Sequence, residues 1–147
     1  MIKLYFESKK DPELEKKVNG IDILRLKCNV LFREKSSKIR IRDGIVDTGA
    51  FVSLIPFSIW ENVEHEEIAR HCVKGIVPRK ECSIEVIIGK IKLKLIDEKN
   101  ETNEMEIYAY LALTDEAPLI IGFKDLLSRF KLCIDFPENK AWIDEKK

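Results

Sequence analysis

The chain contains no glutamine and carries no net charge, with 26 Lys and Arg against 26 Asp and Glu. That balance provides no long-range field to recruit nucleic acid or an anionic membrane, so neither is an expected partner. No apolar run approaches the ~18 residues of a membrane-crossing helix. Met1-Ile2-Lys3-Leu4-Tyr5-Phe6 is too short and too soon interrupted for a signal peptide, so a cytoplasmic protein is expected. The four cysteines, Cys28, Cys72, Cys82 and Cys133, include no Cys-x-x-Cys pair, and His65, His71, Cys72 and Cys82 follow no standard zinc spacing. No metal or cofactor is expected, and the thiols read as reduced and inert. A composition rich in Lys, Glu and Ile and free of Gln fits a thermophile, and fits an AT-rich coding sequence equally well.

What is present is charge spread among alternating apolar residues. At 147 residues the chain is one domain, large enough for a real core. Residues 1–20 read as a short first strand followed by a polar linker or surface segment, and residues 21–147 as the main domain. Residues 21 to 42 alternate with period two on either side of Glu34-Lys35-Ser36-Ser37 and predict a hairpin. Asp43-Gly44 is expected to bend the chain into the next strand. Ser58 and Glu61 form a possible capping box for a helix through Trp60, with Ile68 and Ala69 as later contacts. Residues 72 to 96 predict two or more strands, with Gly89-Lys90 as a turn. Residues 106 to 113 predict another strand, residues 123 to 130 a helix, and residues 132 to 143 a hairpin around Pro137-Glu138-Asn139. The sum is mainly β with two short helices, without βαβ alternation.

One stretch departs from ordinary strand and turn. Ile45-Val46-Asp47-Thr48-Gly49-Ala50-Phe51-Val52-Ser53-Leu54-Ile55 sets an acid in a tight turn between two segments that must be buried. A carboxylate drawn into a low-dielectric surround is costly unless something compensates, which makes Asp47 a candidate functional group. The stretch resembles the active-site loop of aspartic proteases, the retropepsin-like branch in particular. A second element strengthens the likeness: Leu119-Ile120-Ile121-Gly122 followed by Phe123 to Phe130, which in that family crosses behind the catalytic loop. The resemblance covers roughly residues 21 to 143. It implies a closed β-barrel or sandwich lobe with two short helices, acting as a homodimer.

The implied chemistry is peptide hydrolysis by two carboxyls sharing one proton around a water. The chain has one Asp-Thr-Gly, so the second acid must come from another copy, and a two-fold axis brings Asp47 against Asp47. By the same resemblance Thr48 turns inward to bond the facing loop, and Gly49 allows the sharp turn. Ala50 cannot donate the hydroxyl bond that pepsin-like relatives have there, which implies activity nearer neutral than strongly acidic pH. Residues 72 to 82 are the candidate flap over an extended peptide or protein substrate, with Gly75, Ile76 and Val77 at the tip. Read without the resemblance, an ordinary core hairpin is the alternative for that segment. A hairpin symmetric about Val77 sets Cys72 against Cys82, where a bridge is one option and reduced thiols the other. The rival to an endopeptidase is a catalytically weak or inactive peptide-binding or dimerisation module with the same fold.

Overall fold

The computed structural model describes residues 1–74 and 83–145. In chain order the strands are β1 (Ile2–Lys10), β2 (Asp22–Arg33), β3 (Ile39–Val46), β4 (Ser53–Ile55), β5 (His65–Lys74), β6 (Ser83–Ile96), β7 (Met105–Ala112), β8 (Ile120–Ile121), β9 (Phe130–Asp135) and β10 (Lys140–Glu145). Two short helices, α1 (Pro12–Lys17) and α2 (Phe57–Trp60), and a 3-10 turn at Leu127–Arg129 complete the elements. The protein is mainly β, as the alternation predicts.

The strands hydrogen-bond in the order β5-β6-β7-β4-β8-β3-β2-β1-β10-β9, and β6 also pairs with β2. That extra pairing, Asn29↔Ile96 through Leu31↔Lys94, closes β2, β3, β8, β4, β7 and β6 into a ring. Closure removes the sheet edges of those six strands. The ring encloses a core in which Val30, Phe32, Leu95, Ile107 and Leu111 are fully buried. Outside the ring, β1 joins β2 along Tyr5↔Lys27 to Lys10↔Asp22, then crosses to β10 through Ile2↔Ile143 to Leu4↔Ala141. A smaller cluster of Leu54, Ile84, Val86, Ala112 and Ala117 packs separately, with Val73, Tyr110 and Ile120 against it.

Several expected elements differ in extent. The first strand runs on to Lys10 despite its polar end, because Ser8, Lys9 and Lys10 find ladder partners on β2. Only residues 12 to 17 of the polar segment are helical, capped by Asp11, whose Oδ1 accepts from Glu13 N–H at 2.9 Å. Asp43-Gly44 makes no bend; both lie inside β3, paired with Asn29 and Cys28. Gly44 is there for space, since a Cβ would sit 2.9 Å from Ile121 Cδ1. Gly89-Lys90 is not a turn either, and β6 passes straight through it between β5 and β7.

The expected capping box does not form. Pro56 is the N-cap of α2 and offers no side-chain bond, while Ser58 N–H donates to Asp115 Oδ1 at 2.8 Å. The helix ends at Trp60, whose Nε1 donates to Ala112 O at 2.7 Å, and Ile68 and Ala69 belong to β5. The helix predicted over 123 to 130 shrinks to the 3-10 turn, because Asp125 adopts φ 59° and Phe130 is drawn into β9. Its apolar side chains, Leu126 and Leu127, still reach the core. The C-terminal hairpin forms as expected, with Asn139 left-handed at φ 54°, but it is not self-contained, since β10 also pairs with β1. Among the described residues no helix is long and apolar enough to cross a membrane.

Candidate active site

β3 ends in the ring, flanked by β2 on one side and parallel β8 on the other through Ile45↔Ile120 and Val46↔Ile121. Buried Val46 fixes the strand, so the next residue, Asp47, leaves the sheet at a determined point. Asp47 N–H donates to Ile121 O at 3.0 Å, one rung beyond the ladder. Its Oδ1 accepts from Gly49 N–H at 2.8 Å and its carbonyl from Ala50 N–H at 3.1 Å. This is an Asx-type turn, in which a short acidic side chain copies a backbone acceptor. Asp47 and Ala50 are half-buried; Thr48 and Gly49 are exposed.

The chain re-enters the sheet as β4, fully buried, and Leu54 faces Ile120 from the opposite side to β3. β8 therefore threads between the two stems of the loop. The segment after β8 grips the loop itself. Phe123 N–H donates to Ala50 O and Lys124 N–H to Phe51 O, both at 3.0 Å. Gly122 N–H donates to Ser53 Oγ at 2.9 Å, a buried bond. Gly122 lies so close to the loop that a Cβ there would stand 2.8 Å from Val52 C and O and 2.9 Å from Ala50 O. Ile120, Ile121 and Gly122 thus come together with Asp47, Thr48, Gly49 and Ala50 in one compact unit.

Two phenyl rings flank this unit, Phe51 at 75% exposed and Phe123 at 44%. Four residues before Asp47, Asp43 takes an ion pair from Lys27 Nζ at 2.8 Å. That lysine is nearly buried on β2, opposite Ile45, and lies 3.8 Å from Glu7. The Lys27 hydrogen bond outweighs partial burial and holds the Asp43 carboxyl below its usual range. Sequence reasoning missed Ser53, Lys27 and Asp43. Ser53 had a visible signal, a lone hydroxyl inside the apolar run Val52-Ser53-Leu54-Ile55.

The flap candidates Gly75, Ile76 and Val77 lie outside the described residues, as does Cys82. Of their flanks, β5 and β6 pair up to Lys74↔Ser83. Cys72 stands opposite Glu85 and is a free thiol, so the two strands are not in register about Val77. Cys28 is buried, which, with the Asp97 charge as a lesser cause, pushes its thiol up to about 12. His65 sets Nδ1 2.7 Å from Val63 O and Nε2 3.2 Å from Glu67, and His71 stacks on Tyr110. Among the described residues no group of three His, Cys, Asp or Glu side chains is arranged to hold a metal.

Comparison with protein-family models, curated proteins and solved structures finds no match to this chain. One carboxylate in a braced turn acts as base or acid at a given moment, not both. Hydrolysis by carboxyls alone needs a second one beside it.

Proposed function

We propose that this protein is a retropepsin-like aspartic endopeptidase, working as a cytoplasmic homodimer without metal or cofactor. The observation that carries the reading is the grip of residues 121–124 on the Asp47 loop: three backbone hydrogen bonds, the Ser53 bond and the close approach of Gly122. An ordinary turn Asp needs no such bracing. A carboxyl that must meet its symmetry mate within hydrogen-bond reach does, because misplacement by ~1 Å costs about 10²-fold in rate. The ring topology, with the acid leaving a central strand, supports the same reading.

In the proposed reaction the two Asp47 side chains hold one proton between them, since like charges a few ångströms apart do not both ionise. The ionised carboxylate takes a proton from water, and the water oxygen attacks the peptide carbonyl carbon. The protonated carboxyl gives its proton to the carbonyl oxygen. Collapse of the tetrahedral adduct passes a proton to the leaving nitrogen and breaks the C–N bond. Exposed Phe51 and Phe123 beside the loop favour extended substrates with apolar side chains.

Replacing Asp47 with Asn tests the proposal on a mixed peptide library read by mass spectrometry. Cleavage should fall by about 10²–10⁴-fold, the range for loss of an acid–base group, with dimerisation unchanged. Equal cleavage by Asp47→Asn, or turnover by a strictly monomeric protein, refutes it. Peptide binding without cleavage by the parent protein would make it the inactive module.

A further inference from the structure

The ladder between β2 and β3 stops at Lys27↔Ile45, although β2 begins five residues earlier, at Asp22. There the two strands part. β3 goes on with β8 through Val46↔Ile121, while Asp22–Leu26 stay with β1 through Phe6↔Leu26 to Lys10↔Asp22. Successive residues of a strand point their N–H and C=O groups to alternate sides, so every second residue of Asp22–Leu26 turns them away from β1. Among the described residues no other strand or turn supplies partners on that side. A free edge of this kind accepts another chain.

Continued from Lys27↔Ile45, the register sets Leu26 level with Val46 and Arg25 level with Asp47. The free edge therefore begins beside the candidate acid and runs about 10 Å past it to Asp22, at ~3.3 Å per residue. The Asp47 loop does not fill this lane. It turns away from β2, with the Ala50 and Phe51 carbonyls accepting from Phe123 and Lys124 beyond β8. We infer that an extended polypeptide substrate adds as a strand to the Asp22–Leu26 edge, which holds the chain beyond the bond to be cut. This rests on the aspartic endopeptidase reading and names the substrate class: chains that reach several residues past the scissile bond, not tripeptides or tetrapeptides.

Two features of this arm fit such an occupant. Leu24 on the edge strand is 54% exposed, and Ile21 just before it is 39% exposed. A strand laid on the edge covers Leu24; its backbone bonds supply affinity, and its alternate side chains supply selection. Cations and acids balance over residues 7–25, five against five, so charge does not choose the occupant. Backbone pairing does, and any residue other than proline can make it. Whatever lies in this lane has one end at Asp47, which is the place of a substrate and not of a permanent partner.

The probe is a fluorescein-labelled dodecapeptide alternating Val and Ser, offered to the full chain carrying Asp47→Asn so that it binds without being consumed. Hydrogen exchange of the outward amides of Asp22–Leu26 should slow about tenfold or more when the peptide saturates the protein. In anisotropy titrations, cutting the peptide to its half length or methylating alternate backbone nitrogens should raise Kd about tenfold or more. Leu24→Asp, a change at an exposed position, should raise it about threefold or more. Cleavage of a mixed peptide library by the parent protein is measured alongside. Binding without slower exchange at Asp22–Leu26, or no binding, overturns the edge as a docking strand; Asp47-dependent cleavage in that case leaves the protease reading standing. Slower exchange at those amides without Asp47-dependent cleavage keeps the docking strand and sinks the protease reading. Slower exchange that follows protein concentration and not peptide puts a second copy on the edge and overturns the inference as well.

Discussion

Replacing Gly122 with Ala probes the brace on the Asp47 loop directly. The added methyl would stand 2.8 Å from Val52 C and O and 2.9 Å from Ala50 O. Ordinary contact begins near ~3.5 Å, so the loop must retreat by about 0.7 Å. All three neighbours are backbone, with no side chain that swings aside. Overpacking costs ~1–3 kcal/mol, and rigid neighbours point to the upper half of that range. For a domain of this size ~2–3 kcal/mol lowers Tm by about 4–12 °C. A shift approaching 1 Å at the acid should also cut peptide cleavage by up to about 10²-fold. Two companions separate the causes. Ser53→Ala adds no bulk but leaves the Gly122 N–H without its buried acceptor, for ~1–3 kcal/mol. Gly20→Ala meets nothing within 4 Å but forces a side chain to φ 82°. It should cost ~1–2 kcal/mol with cleavage unchanged. Scanning calorimetry and steady-state cleavage on the three variants give the comparison. If Gly122→Ala melts and cleaves like the parent, the loop is not braced by this contact and the argument for the site fails.

Asp97 accepts backbone N–H groups from Lys3, Lys99 and Asn100 at 2.7–2.8 Å. Burial pulls its carboxyl upward, but these donors outweigh it and leave it below the usual range. The lowered folded value means that its stabilisation is complete above the unfolded carboxyl value near ~4 and disappears as pH falls through the folded one. Asp97→Ala should therefore lower stability more at neutral pH than in acid; an equal gap in urea midpoints at both would contradict this. Thiol labelling should follow burial. With iodoacetamide near pH ~8, Cys72 should react before Cys133, and Cys28, with a thiolate fraction near ~10⁻⁴, only after denaturant is added. Peptide mapping that found Cys28 labelled early in the native protein would refute its placement in the core.

The loop was legible because its signals are local: an acid between apolar pairs, small residues after it, and a second apolar pair ending in Gly122. The hairpin of β2 and β3 was legible for the same reason, since period-two alternation and a polar turn lie within residues 21 to 42. Features fixed by distant partners were not. Gly89 reads as a turn residue until Glu66 O and Leu111 are seen crowding the space its side chain would need. Ser8, Lys9 and Lys10 read as linker until β2 supplies their hydrogen bonds. Leu126, Leu127 and Phe130 have helical spacing, yet the left-handed turn at Asp125 and the pull of β10 on Phe130 leave only a 3-10 turn. Lys27 and Asp43 look like two more surface charges until the register brings their strands side by side.

The pairing of Ile2 with Ile143 and of Leu4 with Ala141 has a consequence for synthesis. A ribosome delivers β1 long before β10, so Ile2 and Leu4 wait through the synthesis of every strand between for the one that covers them. The seam between Asn29–Leu31 and Lys94–Ile96 waits about half as long for its later half. Contacts so far apart along the chain make slow folders. The nascent chain therefore carries an apolar strand that stays uncovered in the crowded cell until its distant partner is made.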